Sequence, residues 1–386
     1  MKKKLIKLTV IFFIFIGSFS NASSVEGKIK IGMLVPMTGE NKEIGDLIIK
    51  SARLAVLDIN SDKLEIYPKD TRSNPDKALE SAKEFRDMGI NIVIGPVFYK
   101  SLIYLDEIVD MTFISLTNKT IDIPSNVITG GVNASSQVIA IKKFIEENEI
   151  KKAIFLTPKI DYEQEIKKAI KQSKIKISKH HIYDTEPTKL TKQIEKITNY
   201  KIRKQNVLDE IKRIEESDLS ETEKERRIKK WEKRYTLGNL NFDSVIISDF
   251  DESLKSVITS LIYTDVNTKR VHFITLNQWF DDSLLKEDSS QNIYFPSINK
   301  KNYDNFSKLY FEKFNNYPNQ ISFLSYDLVG LVYYLTKKNN LENINKIFDQ
   351  KNIFKGKTGI FEIKDKKISH ILNFYKVENG KFTKIF

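Results

Sequence analysis

Residues 28–36 read Lys-Ile-Lys-Ile-Gly-Met-Leu-Val-Pro, KIKIGMLVP, and run into the loop Pro36-Met37-Thr38-Gly39. Aliphatic and β-branched residues ending in a Pro/Gly loop predict a strand. From Glu43 to Ile59 the apolar residues Ile44, Leu47, Ile48, Leu54, Ala55 and Ile59 fall at helical spacing. A short strand follows at 64–67. The loop 70–75 then ends in Pro75, which suits the first turn of a helix running to Met88. Ile90 to Ile94 is almost wholly apolar, as in a strand buried on both faces, and Gly95-Pro96 ends it. Residues 101–109 read as helix and 112–115 as strand, with a polar loop Thr117-Asn118-Lys119-Thr120. Strand and helix alternate four times, which predicts a parallel sheet with helices on both faces and any ligand at the carboxyl ends of the strands. The loops at 36–41, 95–100 and 115–120 occupy that position.

A second alternation follows Gly130-Gly131. It reads helix 135–148, strand 152–156, helix 162–173, strand 175–183, strand 242–248, helix 254–263 and strand 271–276. The C-terminal segment, from Ile360 onward, reads as a β-meander. The fold class is therefore α/β, with two lobes each built on a parallel sheet. The boundaries expected are lobe 1 over 23–132, lobe 2 over 133–276, a return to lobe 1 over 277–348, and a β segment over 349–386 belonging mostly to lobe 2.

Between Thr188 and Gly238, 25 of 51 residues are charged. Val207, Ile211 and Ile214, and again Ile228, Trp231 and Tyr235, make narrow apolar stripes on either side of a Ser217–Ser220 turn. Ser220 and Glu223 have the spacing of a capping box, and Glu225 with Lys229 that of an i,i+4 pair. The reading is a helical hairpin inserted over 189–237, either a solvated decoration of its lobe or a partner-docking arm with Trp231 and Tyr235 as its contacts.

Composition narrows the function. The chain has 386 residues, 40% hydrophobic and 30% charged, so it can build two cores of ordinary size. No cysteine is present, which excludes disulfides, thiolate metal sites and cysteine catalysis. Lys2, Lys3, Lys4 and Lys7, the apolar run 8–16 and Ser20-Asn21-Ala22 form a secretory signal peptide over 1–22. With no lipid-acceptor cysteine, the mature chain is expected free in a periplasm-like space, with no integral membrane segment. The formal charge of +12 falls to +8 once the four signal lysines leave. Lysine, isoleucine and asparagine are abundant together, as in AT-rich coding, and no nucleic-acid reading module is visible. Asp281-Asp282 lacks the six or more oxygens a hard cation needs, and His180-His181 point to opposite faces of a strand. No GxSxG, HExxH, GxGxxG or Walker spacing occurs, so no cofactor, metal or catalytic group is expected.

A resemblance adds to this. Gly32–Gly39, Ala52–Asn60, Asp70-Thr71, Asn74-Pro75, Ile94-Gly95-Pro96 and Ile114–Thr117 resemble, in order and spacing, type I periplasmic binding proteins of the leucine-binding family. Leu190–Ile194, Asn199-Tyr200, Arg203, Leu237-Gly238, Phe242-Asp243, Gln278–Asp282, Ser325–Asp327, Phe354–Gly359 and Phe361 resemble its penicillin-binding-protein activator branch.

The resemblance implies a non-enzymatic Venus-flytrap fold, two doubly wound parallel-sheet lobes joined by crossing strands, that closes on a small ligand. Amino-acid binders of the family carry small hydroxyl residues after the third and fourth strands. The matching positions here are Tyr99 and Thr117-Asn118-Lys119. Tyr162 matches an aromatic of the second lobe, and Asn133 stands near a crossing where an acid is common.

The ligand-binding candidates are therefore Thr38, Tyr99, Thr117, Asn118, Lys119, Tyr162, Asp249, Phe250, Trp279 and Tyr326. The charged members are read as ligand contacts or ordinary loop charge, Tyr326 as cleft or core, and Trp279 as cleft wall or hinge contact. Two functions stay open: capture of an amino-acid or amide-like solute for an ABC transporter, or docking on a peptidoglycan synthase.

Overall fold

The structure is a computed structural model, and it describes residues 27–287, 290–338, 348, 351–364 and 366–386. The signal peptide read over 1–22 lies outside the described residues.

The first lobe begins with β1 (Ile29–Val35), α1 (Lys42–Ile59), β2 (Leu64–Asp70), α2 (Pro75–Asp87), β3 (Ile92–Ile94), β4 (Thr112–Ser115) and β5 (Val127–Thr129). All of their mutual pairings are parallel. Between β3 and β4 the expected helix is replaced by two 3₁₀ turns, Tyr99–Leu102 and Leu105–Glu107. α2 starts as its sequence predicts: Asn74 caps it by accepting from the Lys77 amide at 3.0 Å, and Pro75 opens its first turn.

The chain then crosses to the second lobe. There it forms α3 (Ala134–Glu147), β6 (Ala153–Pro158), α4 (Glu163–Ser173), β7 (Lys179–Tyr183), α5 (Pro187–Ile197), α6 (Tyr200–Glu215), α7 (Glu221–Trp231), β8 (Ser244–Ile247), α8 (Asp251–Tyr263), β9 (His272–Thr275), the short α9 (Ser283–Lys286) and β10 (Ile293–Ser297). It returns for α10 (Lys300–Phe314) and α11 (Gln320–Lys338), which pack on α1. The strands β11 (Asn352–Lys355), β12 (Ile360–Lys364), β13 (Lys367–Ile371), β14 (Asn373–Glu378) and β15 (Lys381–Lys384) end the chain.

Two sheets result, ordered β11-β12-β13-β5-β4-β3-β1-β2 and β15-β14-β10-β9-β8-β6-β7. This pairing departs from the expected boundaries at two points. Residues 293–297 pair with β9 in the second sheet, so the return to the first lobe comes after Ser297 rather than at 277. The C-terminal meander is divided: β11 to β13 extend the first sheet, and β14 and β15 the second. The division falls at the buried Leu372, and packing decides it. On one side His370 bonds Gly130 and meets Phe361, and on the other Phe374 stacks on Phe144. A strand's sequence specifies its faces but not its neighbour. Two of the crossings are stapled together. Asn133 caps α3 and donates to the Ile368 carbonyl at 3.1 Å, while the His370 amide donates to Ser136 Oγ at 3.0 Å.

The insertion is helical as expected, with its own internal packing. α6 buries Val207 and Ile214 and packs on α7, and α7 has no fully buried residue. Ser220 caps α7 by position only. Glu223 does not close a capping box, because its carboxylate is held by Arg226 and Arg227 at 2.8 and 2.7 Å. The base of the hairpin is anchored by Arg203. Its guanidinium, 4% exposed at the residue level, donates to the Thr264 carbonyl and to Thr236 Oγ1.

Candidate functional site

The cleft-side loops of the two lobes meet through a buried carboxylate. Glu165 lies one turn into α4, on the stripe that also buries Ile166 and Ala169, and it is 4% exposed. It accepts from the Thr120 amide and hydroxyl, both at 2.7 Å, and from the Ile121 amide at 2.8 Å. Lys168, one turn further along α4, donates to the Thr120 carbonyl at 2.9 Å. A second link joins α11 to the loop after β9, where Gln320 donates to the Trp279 carbonyl at 2.9 Å. Three hydrogen bonds converge on one buried carboxylate in the first link against one in the second, so the first is the firmer clasp.

Beside this clasp the first lobe contributes Tyr99, Thr117 and Lys119. The Lys119 ammonium sits 4.1 Å above the Tyr99 ring, so the two residues that depart from the amino-acid-binding pattern stack on each other. Thr117 is buried, its hydroxyl accepting from the Lys119 amide and its own amide reaching Ser115 Oγ. Asn118 is exposed.

The second lobe contributes Tyr162 and Phe250, rings edge-on at 6.5 Å. The Tyr162 hydroxyl is buried beside the Gln137 side chain, and burial, aided by the charge of Glu165, raises its pKa well above the ordinary tyrosine value against the opposing hydrogen bond with Gln137. The side chain of Gln137 accepts from the Asn277 amide at 2.8 Å, and Asn277 leaves its own Nδ2 buried and unpaired. Trp279 is half-buried, and it and Phe280 hold φ of 50° and 60°, a costly backbone for non-glycine residues and frequent at functional loops.

Other candidates take structural parts. Thr38 is exposed, and its hydroxyl and amide both donate to Asp70, which also accepts from the Met37 and Arg72 amides. These bonds hold the Asp70 carboxyl below its usual range, against the opposing effect of burial. Asp249 is buried, its carboxylate taken by the Tyr183 hydroxyl and the Phe250 amide, and burial raises its pKa.

Tyr326 lies away from the cleft. Its hydroxyl donates to Asp58 at 2.5 Å, near the far end of the 18-residue α1, roughly 24 Å along the axis from the cleft-side loop. Lys357 completes that contact, bonding Asp58 at 2.7 Å and lying over the Tyr326 ring. Of the docking pair, Trp231 is half-buried under Arg234, and Tyr235 is 77% exposed. Glu165, Lys168, Thr120 and Asn277 were not among the sequence candidates. The available signal was an acid at position 165 on the apolar stripe of α4.

A hydroxyl–histidine contact does occur, Thr157 with His180 at 2.9 Å, but Thr157 is 1% exposed and bonded by Ser248, beyond a substrate's reach. Among the described residues no group of three acids, histidines or cysteines is placed to hold a metal ion, and no helix is long and apolar enough to cross a membrane.

Comparison with known proteins agrees with this geometry. Residues 28–202 match the model of the periplasmic binding protein family. No curated protein matches the chain by sequence. Among solved structures, the branched-chain amino acid substrate-binding protein LivJ of Streptococcus pneumoniae, in complex with isoleucine, is 18% identical. The match covers 93% of this chain and 99% of that one at a TM-score of 0.56. An ABC transporter substrate-binding protein of Desulfitobacterium hafniense in complex with Leu is 15% identical over 93% and 100%, at 0.58. The C-domain of LpoA from Haemophilus influenzae, a regulator of PBP1A, is 13% identical over 92% and 100%, at 0.60, and the chain spans 59% of full-length LpoA. At these identities the likeness is one of fold: the chain has the two-lobed fold of type I periplasmic binding proteins, a fold that LpoA shares.

Proposed function

We propose that this chain is a non-enzymatic, periplasmic solute-binding protein. Its lobes close on a small amino-acid or amide-like ligand between Tyr99, Thr117 and Lys119 on one side and Tyr162, Phe250 and Trp279 on the other. The observation that carries the reading is the Glu165 clasp on Thr120 and Ile121. It joins the lobes beside those side chains, as a closing device must. A ligand with extra contacts in the closed state shifts the lobes toward it, and a membrane permease then reads the closed form.

The test is a thermal-shift screen of residues 23–386 against amino acids, short amides, small peptides and muropeptides. A ligand at a hundredfold excess over its Kd adds about 2.7 kcal/mol of stability. The reading expects a hit that Tyr162→Ala and Tyr99→Ala abolish. Silence across the panel counts against it.

A second reading has its own observation. The α6–α7 hairpin projects an α7 with no fully buried residue and leaves Tyr235 exposed beside the half-buried Trp231. This suits a docking arm for a peptidoglycan synthase, and it gains support from the likeness to the LpoA C-domain. Deleting residues 201–235 should then abolish capture of the synthase while leaving small-ligand binding intact.

A further inference from the structure

Behind the clasp, on the side of the β5–β13 junction, lies a cavity of about 570 Å³. Lys168 of α4 lines it from the second lobe. Lys366, which also donates to the Ser125 carbonyl at 3.4 Å, and Lys367 line it from the first; Asp122 is the one acid among the lining residues, with the Glu165 carboxylate beyond Thr120 and Ile121. Its wall includes Thr129, which is 3% exposed and whose hydroxyl has no hydrogen-bond partner. Thr129 is the register partner of Lys367 across the two strands, so the unsatisfied hydroxyl and that lysine share one position in the sheet. A second cavity of about 420 Å³ adjoins it through Thr120 and Lys367, and there the Lys351–Glu362 ion pair is largely self-neutralising.

We propose that this groove is a binding site for a small multivalent oxyanion of the phosphate class. An excess of ammonium groups over carboxylates draws an anion. Lys168 already bonds Thr120 in the interlobe clasp. An anion held between Lys168 and Lys367 therefore touches both lobes and favours their closed arrangement. The site is separate from the cleft between Tyr99 and Tyr162 and does not depend on what that cleft holds.

The test is calorimetric titration of residues 23–386 with inorganic pyrophosphate and with phosphate at constant ionic strength, with chloride as the control. The expected result is saturable, single-site binding. Lys367→Glu should weaken it at least about tenfold. Heats that follow ionic strength alone, or binding unaltered by Lys367→Glu, overturn the proposal.

A second arm separates a free anion from a lipid headgroup by sedimenting the protein with phosphatidylglycerol vesicles and with phosphatidylcholine vesicles. Sedimentation with the anionic vesicles that pyrophosphate competes away makes the headgroup the source. No sedimentation beside retained pyrophosphate binding makes it a free anion. Sedimentation that neither pyrophosphate nor Lys367→Glu removes places anion binding elsewhere on the surface and refutes the groove.

Discussion

Replacing Glu165 by alanine should open the two lobes. The carboxylate makes three hydrogen bonds of 2.7 to 2.8 Å to Thr120 and Ile121, and it is almost wholly buried. When the lobes part, all of these groups regain water, so each bond contributes its net value, roughly 1 kcal/mol, rather than its strength in isolation. Three bonds amount to roughly 3 kcal/mol, about a hundredfold in the closing equilibrium. Glu165→Gln keeps one acceptor oxygen and loses the charge, so its effect should be about half as large. Hydrogen exchange reads this directly, because the Thr120 and Ile121 amides are protected only while the clasp is shut. Their protection should fall by about two orders of magnitude in the alanine variant, and small-angle scattering should show a larger radius of gyration. The amides of β3 and β8, each inside its own sheet, should exchange as in the native chain. Native protection at 120 and 121, with an unchanged radius, would refute the clasp.

Acid should weaken the protein through His370. Complete burial lowers this imidazole to about 4, against an opposing hydrogen bond to Gly130. Between pH 6.5 and 4 the unfolded chain takes up a proton that the native chain refuses. Stability is therefore full above the unfolded pKa and falls with pH through that window, by about 3 kcal/mol in all. Melting curves from pH 7 to 4.5 should show the slope, and His370→Gln should flatten it. Gly45→Ala would place a methyl 1.9 Å from the Pro36 carbonyl oxygen, where α1 passes the loop after β1. Calorimetry should find a loss of roughly 1–3 kcal/mol. Arg203→Ala leaves the Thr264 carbonyl and the Asp265 carboxylate at the hairpin base without their buried guanidinium. It should cost roughly 2–4 kcal/mol, read as faster exchange confined to α6, α7 and their base.

Much of the fold could be read from the residues because periodicity is a local property. Ile92–Ile94 reads as a strand buried on both faces, and α1 carries its core side as a stripe, whatever the rest of the chain does. The turn after β3 misled for a local reason too: residues 101–109 have helical spacing, but Tyr99–Leu102 and Leu105–Glu107 form two short 3₁₀ turns that pack on the small core around Leu102 and Leu105. The candidate site was less legible. Lys119 and Tyr99 stood out singly as departures from a pattern, and nothing in either segment announced that they stack. Tyr326 had the residue type of a cleft aromatic, but helix packing carried it to Asp58, at the other end of its lobe.

By itself, then, the sequence determined the alternation of strand and helix, the two lobes, the inserted hairpin and the loops at the strand ends. Each of these follows from apolar spacing and turn residues within a span of about twenty positions. Only the tertiary structure decided where the chain crosses between lobes, which sheet each C-terminal strand joins, and which side chains meet. Thr120 and Glu165 are 45 residues apart and the β5 partner of Lys367 lies far earlier still, so these contacts depend on the packing of whole sheets and helices. Charge and hydroxyl groups supply chemistry from the sequence, but distance and burial assign it, and those exist only once the two cores have formed.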